Sequence, residues 1–152
     1  MNHHTPSGGL LPGRRNCVHA AQTGHDGAQM TTEQPFRTII EHGVQCGIMG
    51  DGVHIAPLNP WLHIYYAVTG VNSFGAKVNG DQQLTRQEAL RLFTRGNSWF
   101  LRMEEKVGSL EPNKLADLVV LDRDYFTVPD VQIKQIKSLM TIVDGKVVHG
   151  TL

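Results

Sequence analysis

The sequence predicts an α/β protein, and three observations carry that reading. A short apolar run at residues 44–49 follows a helix-like segment and a glycine, and ends in the loop Gly50-Asp51-Gly52. Helix, glycine, strand and acid-bearing loop make the rhythm of an α/β unit. Downstream, Thr85 and Glu88 are spaced as a capping box ahead of an apolar helical face. The last third turns to β, with Val- and Leu-rich runs flanking Asp144-Gly145, a type I′ hairpin pair.

Each element has a local reason. Residues 36–42 read as a helix stopped by Gly43, the residue suited to a left-handed C-cap. Residues 44–49 read as a buried strand. Asn59 and Pro60 are an N-cap and a first-turn proline for a helix over 60–69. Behind Thr85, Ala89, Leu92, Phe93 and Gly96 share one helical face, and Asn97 is placed to cap a further short helix reaching Glu104. Residues 115–121 read as a strand, and 131–138 show helical spacing. Residues 140–143 and 146–149 form the two arms of the hairpin. Residues 1–35 are punctuated by Gly and Pro and read as irregular, although they hold four of the eight His.

Composition narrows the function. The chain has 152 residues, 40% hydrophobic and 18% charged, with 14 basic and 14 acidic side chains in balance. A net charge of zero supplies no basic field, so nucleic acid and anionic membrane are not expected partners. No apolar run is long enough to span a bilayer. The first residues show no charged or apolar signal pattern, so the expected location is cytoplasmic. Two cysteines, Cys17 and Cys46, make no disulfide framework; they could pair in principle, but read first as plain buried thiols.

Asp51 is the residue best placed for chemistry. Flanking glycines permit a sharp turn and close approach of a ligand, and a carboxylate there can hold a cation or take a proton. Read from residues alone the signal is weak, because an Asp after a strand is more often a loop or cap residue. His54 lies three positions on and can face the same place. Trp61, Tyr65 and Tyr66 either line a pocket or pack the helix. Pro112-Asn113 suits a tight turn, and Asp117 is expected to hydrogen-bond loop backbone. A small independent metal site built from the N-terminal His and Asp51 matches no compact ligand spacing.

Residues 108–121 (GSLEPNKLADLVVL), then Asp124-Tyr125-Phe126 and 141–148, resemble the C-terminal signature of the metal-dependent amidohydrolases, in their family 3 branch. Gly47 to Gly52 resembles that family's last barrel strand. Asn59-Pro60-Trp61-Leu62 and residues 84–94 resemble the helices after it. The match runs in unbroken order over about residues 36–149. Asn113 replaces the usual glycine, a mild change because Asn also accepts the left-handed conformation.

The resemblance implies a TIM barrel that holds one or two metal ions, usually zinc, with a small β-sandwich beside it. It implies that Asp51 binds the metal and transfers the proton; His54 and Trp61, read from their positions, are the candidate substrate-binding residues. The family's His-x-His pair is missing, since His3 and His4 are adjacent. A (β/α)₈ barrel takes about 250 residues. The expected architecture is therefore a C-terminal fragment of a TIM-barrel amidohydrolase plus part of its β-sandwich. Residues 1–35 form an irregular segment, 36–107 the last barrel strand and its helices, and 108–152 the sandwich portion. The expected function is hydrolysis of non-peptide C–N bonds in amides or cyclic amides, incomplete in this chain alone. A divalent metal, zinc by resemblance, is expected in the full-length enzyme and is not expected to bind tightly here. Small amides are the expected substrates, and an exposed sheet edge is expected to pair copies into a homo-oligomer. The competing reading is a non-catalytic remnant, or an interaction module that completes another chain's barrel.

Overall fold

A computed structural model describes residues 34–50 and 57–151, together with the backbone of Cys17–Val18. Helix α1 spans Phe36–Glu41 and stops where Gly43 takes φ +64°, as its sequence predicts. Strand β2, Ile48–Met49, pairs in parallel with β1, Cys17–Val18. The irregular reading of residues 1–35 therefore fails at these two positions. The expected strand over 44–49 is shorter than its apolar run: residues 44–47 stay outside it. Cys46 is buried and disulfide-bonded, which corrects the expectation of a plain thiol.

Helix α2, Pro60–Thr69, begins as predicted: the Asn59 side chain accepts a hydrogen bond from the Trp61 amide at 3.0 Å. Trp61, His63, Ile64, Tyr65, Tyr66 and Ala67 are all buried. A helix buried on most of its circumference belongs inside a core rather than on a surface. It packs against the 3₁₀ turn Asp130–Gln135, whose Ile133 is fully buried. That turn occupies the segment where helical spacing was read at 131–138. The Trp61 ring lies 5.5 Å from the Tyr125 ring, and the Lys134 ammonium sits 5.1 Å above Tyr65.

The capping box forms. Glu88 N–H donates to Thr85 Oγ1 at 3.2 Å, and Thr85 N–H donates to Glu88 Oε2 at 2.8 Å. Helix α3, Arg86–Arg91, then passes without a break through a π-helical turn, Leu92–Gly96, into α4, Asn97–Phe100. Asn97 is thus inside a continuous helix and does not cap a new one reaching Glu104. At the end of this turn Gly96 abuts the Cys46 carbonyl and Gly47, leaving no room for a side chain. The wide turn brings the helix backbone against the strand.

The C-terminal third is an antiparallel sheet in the order β3–β4–β5: Leu118–Leu121, Ser138–Val143 and Lys146–Gly150. Asp144 and Gly145 both have positive φ, the predicted hairpin geometry. Residues 115–117 stay outside the sheet. There Asp117 accepts from the Asp144 amide at 2.8 Å, the backbone role expected of it. Arg86 ties this half to α3. It donates to the carbonyls of Tyr125 and Val128 and to Asp130, and the Tyr125 hydroxyl donates back to the Arg86 carbonyl at 2.8 Å. Burial pushes the Tyr125 phenol above its ordinary range, so it stays protonated and remains a donor.

Candidate functional site at the end of β2

The C-terminal end of β2 is held from two sides. From α4, Asn97 Nδ2 donates to the Ile48 carbonyl at 2.7 Å and to the Phe93 carbonyl at 3.0 Å. Gly47 lies directly under this amide, and a Cβ there would collide with Asn97 Oδ1 and come within 3.1 Å of Phe100. From α2, the His63 ring lies flat against Gly50, where a Cβ would fall on the imidazole, 2.5 Å from Cδ2 and Cε1. His63 Nε2 is 3.0 Å from the Pro57 carbonyl. A carbonyl only accepts, so Nε2 carries the hydrogen. Burial lowers the His63 pKa and keeps the ring neutral. Its Nδ1 is then a bare acceptor, buried and without a hydrogen-bond partner. The ring stacks on Phe93, 6.4 Å between centroids at 12°.

Around these groups is a cavity of about 210 Å³, lined by Ile48, Met49, Gly50, Pro57, Leu58, Pro60, His63, Phe93 and Asn97. A larger one, about 530 Å³, opens between α1 and α3 beside Glu88, Arg91 and Arg95, and shares no lining residue with the first. Asp51 and His54 follow Gly50 in the chain and lie outside the described residues, as do His3, His4, His19 and His25. Trp61 is buried against Tyr125 in the core. The sequence reading passes over His63 and takes Asn97 as a helix cap, not as a group that holds the strand. The one signal for His63 is a titratable residue in the middle of an otherwise apolar helix. Asn97 resembled a cap because the π-helical turn before it has no local signature.

Among the described residues, no three His, Cys, Asp or Glu come together in a group that could hold a metal ion. A catalytic zinc takes about three protein ligands. Asp51, the ligand that the resemblance implies, lies outside those residues.

Residues 13–149 match the amidohydrolase family. An N-substituted formamide deformylase of Arthrobacter pascens is 30% identical over 111 residues, covering 73% of this chain and 20% of that protein. A 5-methylthioadenosine/S-adenosylhomocysteine deaminase of Symbiobacterium thermophilum is 31% identical over 126 residues, covering 76% of this chain and 28% of that protein. The chain thus spans about a quarter of the length of the curated relatives it matches. In fold it is similar to E. coli guanine deaminase, with a TM-score of 0.60 at 20% identity over 80% of this chain and 31% of that one. The signature motifs, the α/β arrangement ending in a small sheet, and a match across nearly the whole sequence agree: the chain belongs to the amidohydrolase family.

Proposed function

We propose that this chain is the C-terminal part of a metal-dependent amidohydrolase that hydrolyses non-peptide C–N bonds in small amides or cyclic amides. In this reading β2 is the last strand of a TIM barrel and β3–β5 belong to its β-sandwich. The carrying observation is the family match over residues 13–149, and it supports this reading together with the sequence order, in which Asp51 follows Gly50. The names of the two relatives, a deformylase and a deaminase, both describe hydrolytic removal of carbon from nitrogen or nitrogen from carbon.

Asp51 serves as the proton-transfer carboxylate. Water adds to the carbonyl carbon, and Asp51 takes the proton it sheds. The C–N bond then breaks, and Asp51 returns that proton to the departing nitrogen. His54 belongs to the substrate side, while Trp61, expected there too, packs in the core against Tyr125. The divalent metal, zinc by resemblance, belongs to the rest of the enzyme, and no step here runs through it.

The test has two arms. The purified 152-residue chain, supplied with zinc, is assayed on a panel of N-acyl and cyclic amides, and no turnover is expected. In a full-length enzyme carrying this segment, Asp51→Ala is expected to lower kcat/KM by about 10²–10⁴-fold. Zinc-dependent turnover by the chain alone that vanishes in Asp51→Ala would overturn the fragment reading. Full activity of the full-length Asp51→Ala enzyme would overturn the role of the carboxylate.

A further inference from the structure

We propose that the cavity between α1 and α3 is a second binding site, one that takes a small oxyanion, a phosphate or carboxylate group. This site is independent of the role given to Asp51 above. The cavity measures about 530 Å³, within the range of about 300–1,000 Å³ usual for small-ligand sites. It lies beside residues 43–46, ahead of β2, whereas the smaller cavity is lined by Ile48, Met49 and Gly50 at the other end of the strand. Two arginines line it, Arg91 and Arg95. They stand four residues apart on one continuous helix, so their side chains share a face one turn apart.

The charge around this cavity is unbalanced. Glu88 is the acidic side chain among its described lining residues, and both of its carboxylate oxygens are committed. Oε1 accepts from Arg37, and Oε2 accepts from Arg37 and the Thr85 amide. Arg37 and Glu88 cancel one another, which leaves no anion for the two arginines. Arg95 comes only within 3.8 Å of Glu111, with both side chains about half exposed, and Glu111 lies nearer to Lys114, at 3.4 Å. An open pair of that kind neutralises little. Arg91 has no hydrogen bond or ion pair among the described residues, and neither has Gln45, a third lining residue with N–H groups to give. Two cations one turn apart repel, and an oxyanion between them turns the repulsion into attraction. Guanidinium forks match the paired oxygens of phosphate and carboxylate. Ile40, Val44 and Leu92 supply apolar wall beside them, which lowers the screening of those charges by water. Arg95 belongs to the π-helical turn, whose Gly96 packs on the Cys46 carbonyl and holds this stretch of helix against the residues that precede β2. Turns of this kind recur at functional sites.

Titration of the ¹⁵N-labelled 152-residue chain with inorganic phosphate tests the site by NMR, against sodium chloride at matched ionic strength. Saturable shifts are expected at the amides of Gln45, Arg91 and Arg95, and none at Val120 or Met140 in the sheet. Arg91→Gln and Arg95→Gln should each weaken phosphate binding by about tenfold, the loss of a charge-assisted hydrogen bond, and the double variant should abolish it. Lys146→Gln removes the same unit of charge from the hairpin and should leave binding unchanged. All three side chains are exposed, so these variants are expected to fold. A parallel titration with succinate separates the two sources of the oxyanion: tighter binding of phosphate assigns the site to phosphoryl groups, tighter binding of succinate to carboxylates. A phosphate-dependent rise in Tm that the double variant lacks reads the same site by a second route. Shifts that never saturate, that chloride reproduces, that survive in the double variant or that fall equally in Lys146→Gln overturn the proposal.

Discussion

At the scale of single residues, Glu88 carries more than its position in a capping box requires. It satisfies the Thr85 amide and also receives a two-pronged guanidinium from Arg37, at 2.9 and 2.8 Å, which joins α3 to α1. The Arg37 bonds are the main reason its pKa falls from 4.5 to about 2. A carboxylate depressed in the folded state stabilises the fold above its unfolded pKa and loses that contribution as pH falls toward the folded value. The affected window here runs from 4.5 down to about 2. Arg37→Ala is expected to cost about 1–2 kcal/mol near neutral pH, the range between exposed and partly buried charge pairs. It should also flatten the acid limb across that window, as urea unfolding at about pH 6 and about pH 3 would show. Part of the limb should persist. Lys114 beside Glu111 and Arg123 beside Asp122 hold those carboxylates low as well. Gly96→Ala is a different kind of lesion. Its new methyl meets the Cys46 carbonyl, a backbone atom that cannot swing away. A loss of about 2 kcal/mol or more is expected by thermal or urea unfolding.

At the scale of elements, local chemistry was legible and pairing was not. Asn59-Pro60, Thr85 with Glu88, and Asp144-Gly145 each act within four residues, so the helix starts and the hairpin could be read directly. The partner of β2 is β1, about thirty residues upstream, a pairing with no local signature, and the apolar run overstated the strand. The π-helical turn escaped for the same reason: at its end Gly96 meets Cys46 across the fold. The Asp144-Gly145 turn offers a clean test of the local rules. Gly145 has φ +74° and open space around its Cα, so Gly145→Ala should cost only backbone strain, about 1 kcal/mol in Tm-derived stability. Gly150 has the same φ, but its Cβ would strike the Leu139 carbonyl. Gly150→Ala should therefore be the more damaging of the two by the same measurement.

At the scale of the whole molecule, the two halves differ in how well they are covered. The α2 side has a dense core, while the sheet leaves Val119, Leu139, Val143, Val147 and Val148 exposed, the last at 61%. Its outer strands β3 and β5 pair with β4 on one side and have no strand on the other among the described residues. Bare edges with apolar neighbours invite pairing, and a net charge of zero does nothing to oppose it. Concentration-dependent association is expected in size-exclusion chromatography, weakened by Val148→Lys. A clean monomer at every concentration would count against it. The site was legible at this scale only in outline. Motif order pointed to Asp51 at the end of a strand. The groups that hold that strand end, His63 and Asn97, come from helices 13 to 47 residues further along the chain, a convergence that depends on tertiary packing.

The π-helical turn also gives the long helix Arg86–Phe100 a spare residue. Both flanks, α3 and α4, are in phase with their neighbours only because one extra position is stored between them. Removing an exposed residue inside the store, Thr94 or Arg95, lets the turn tighten from π to α while Asn97 keeps its reach to the Ile48 carbonyl. Removing one from Arg86–Arg91 instead swings everything downstream by about 100°, and carries Asn97 away from β2. Length changes along this helix are thus forgiven at one turn and penalised at the next.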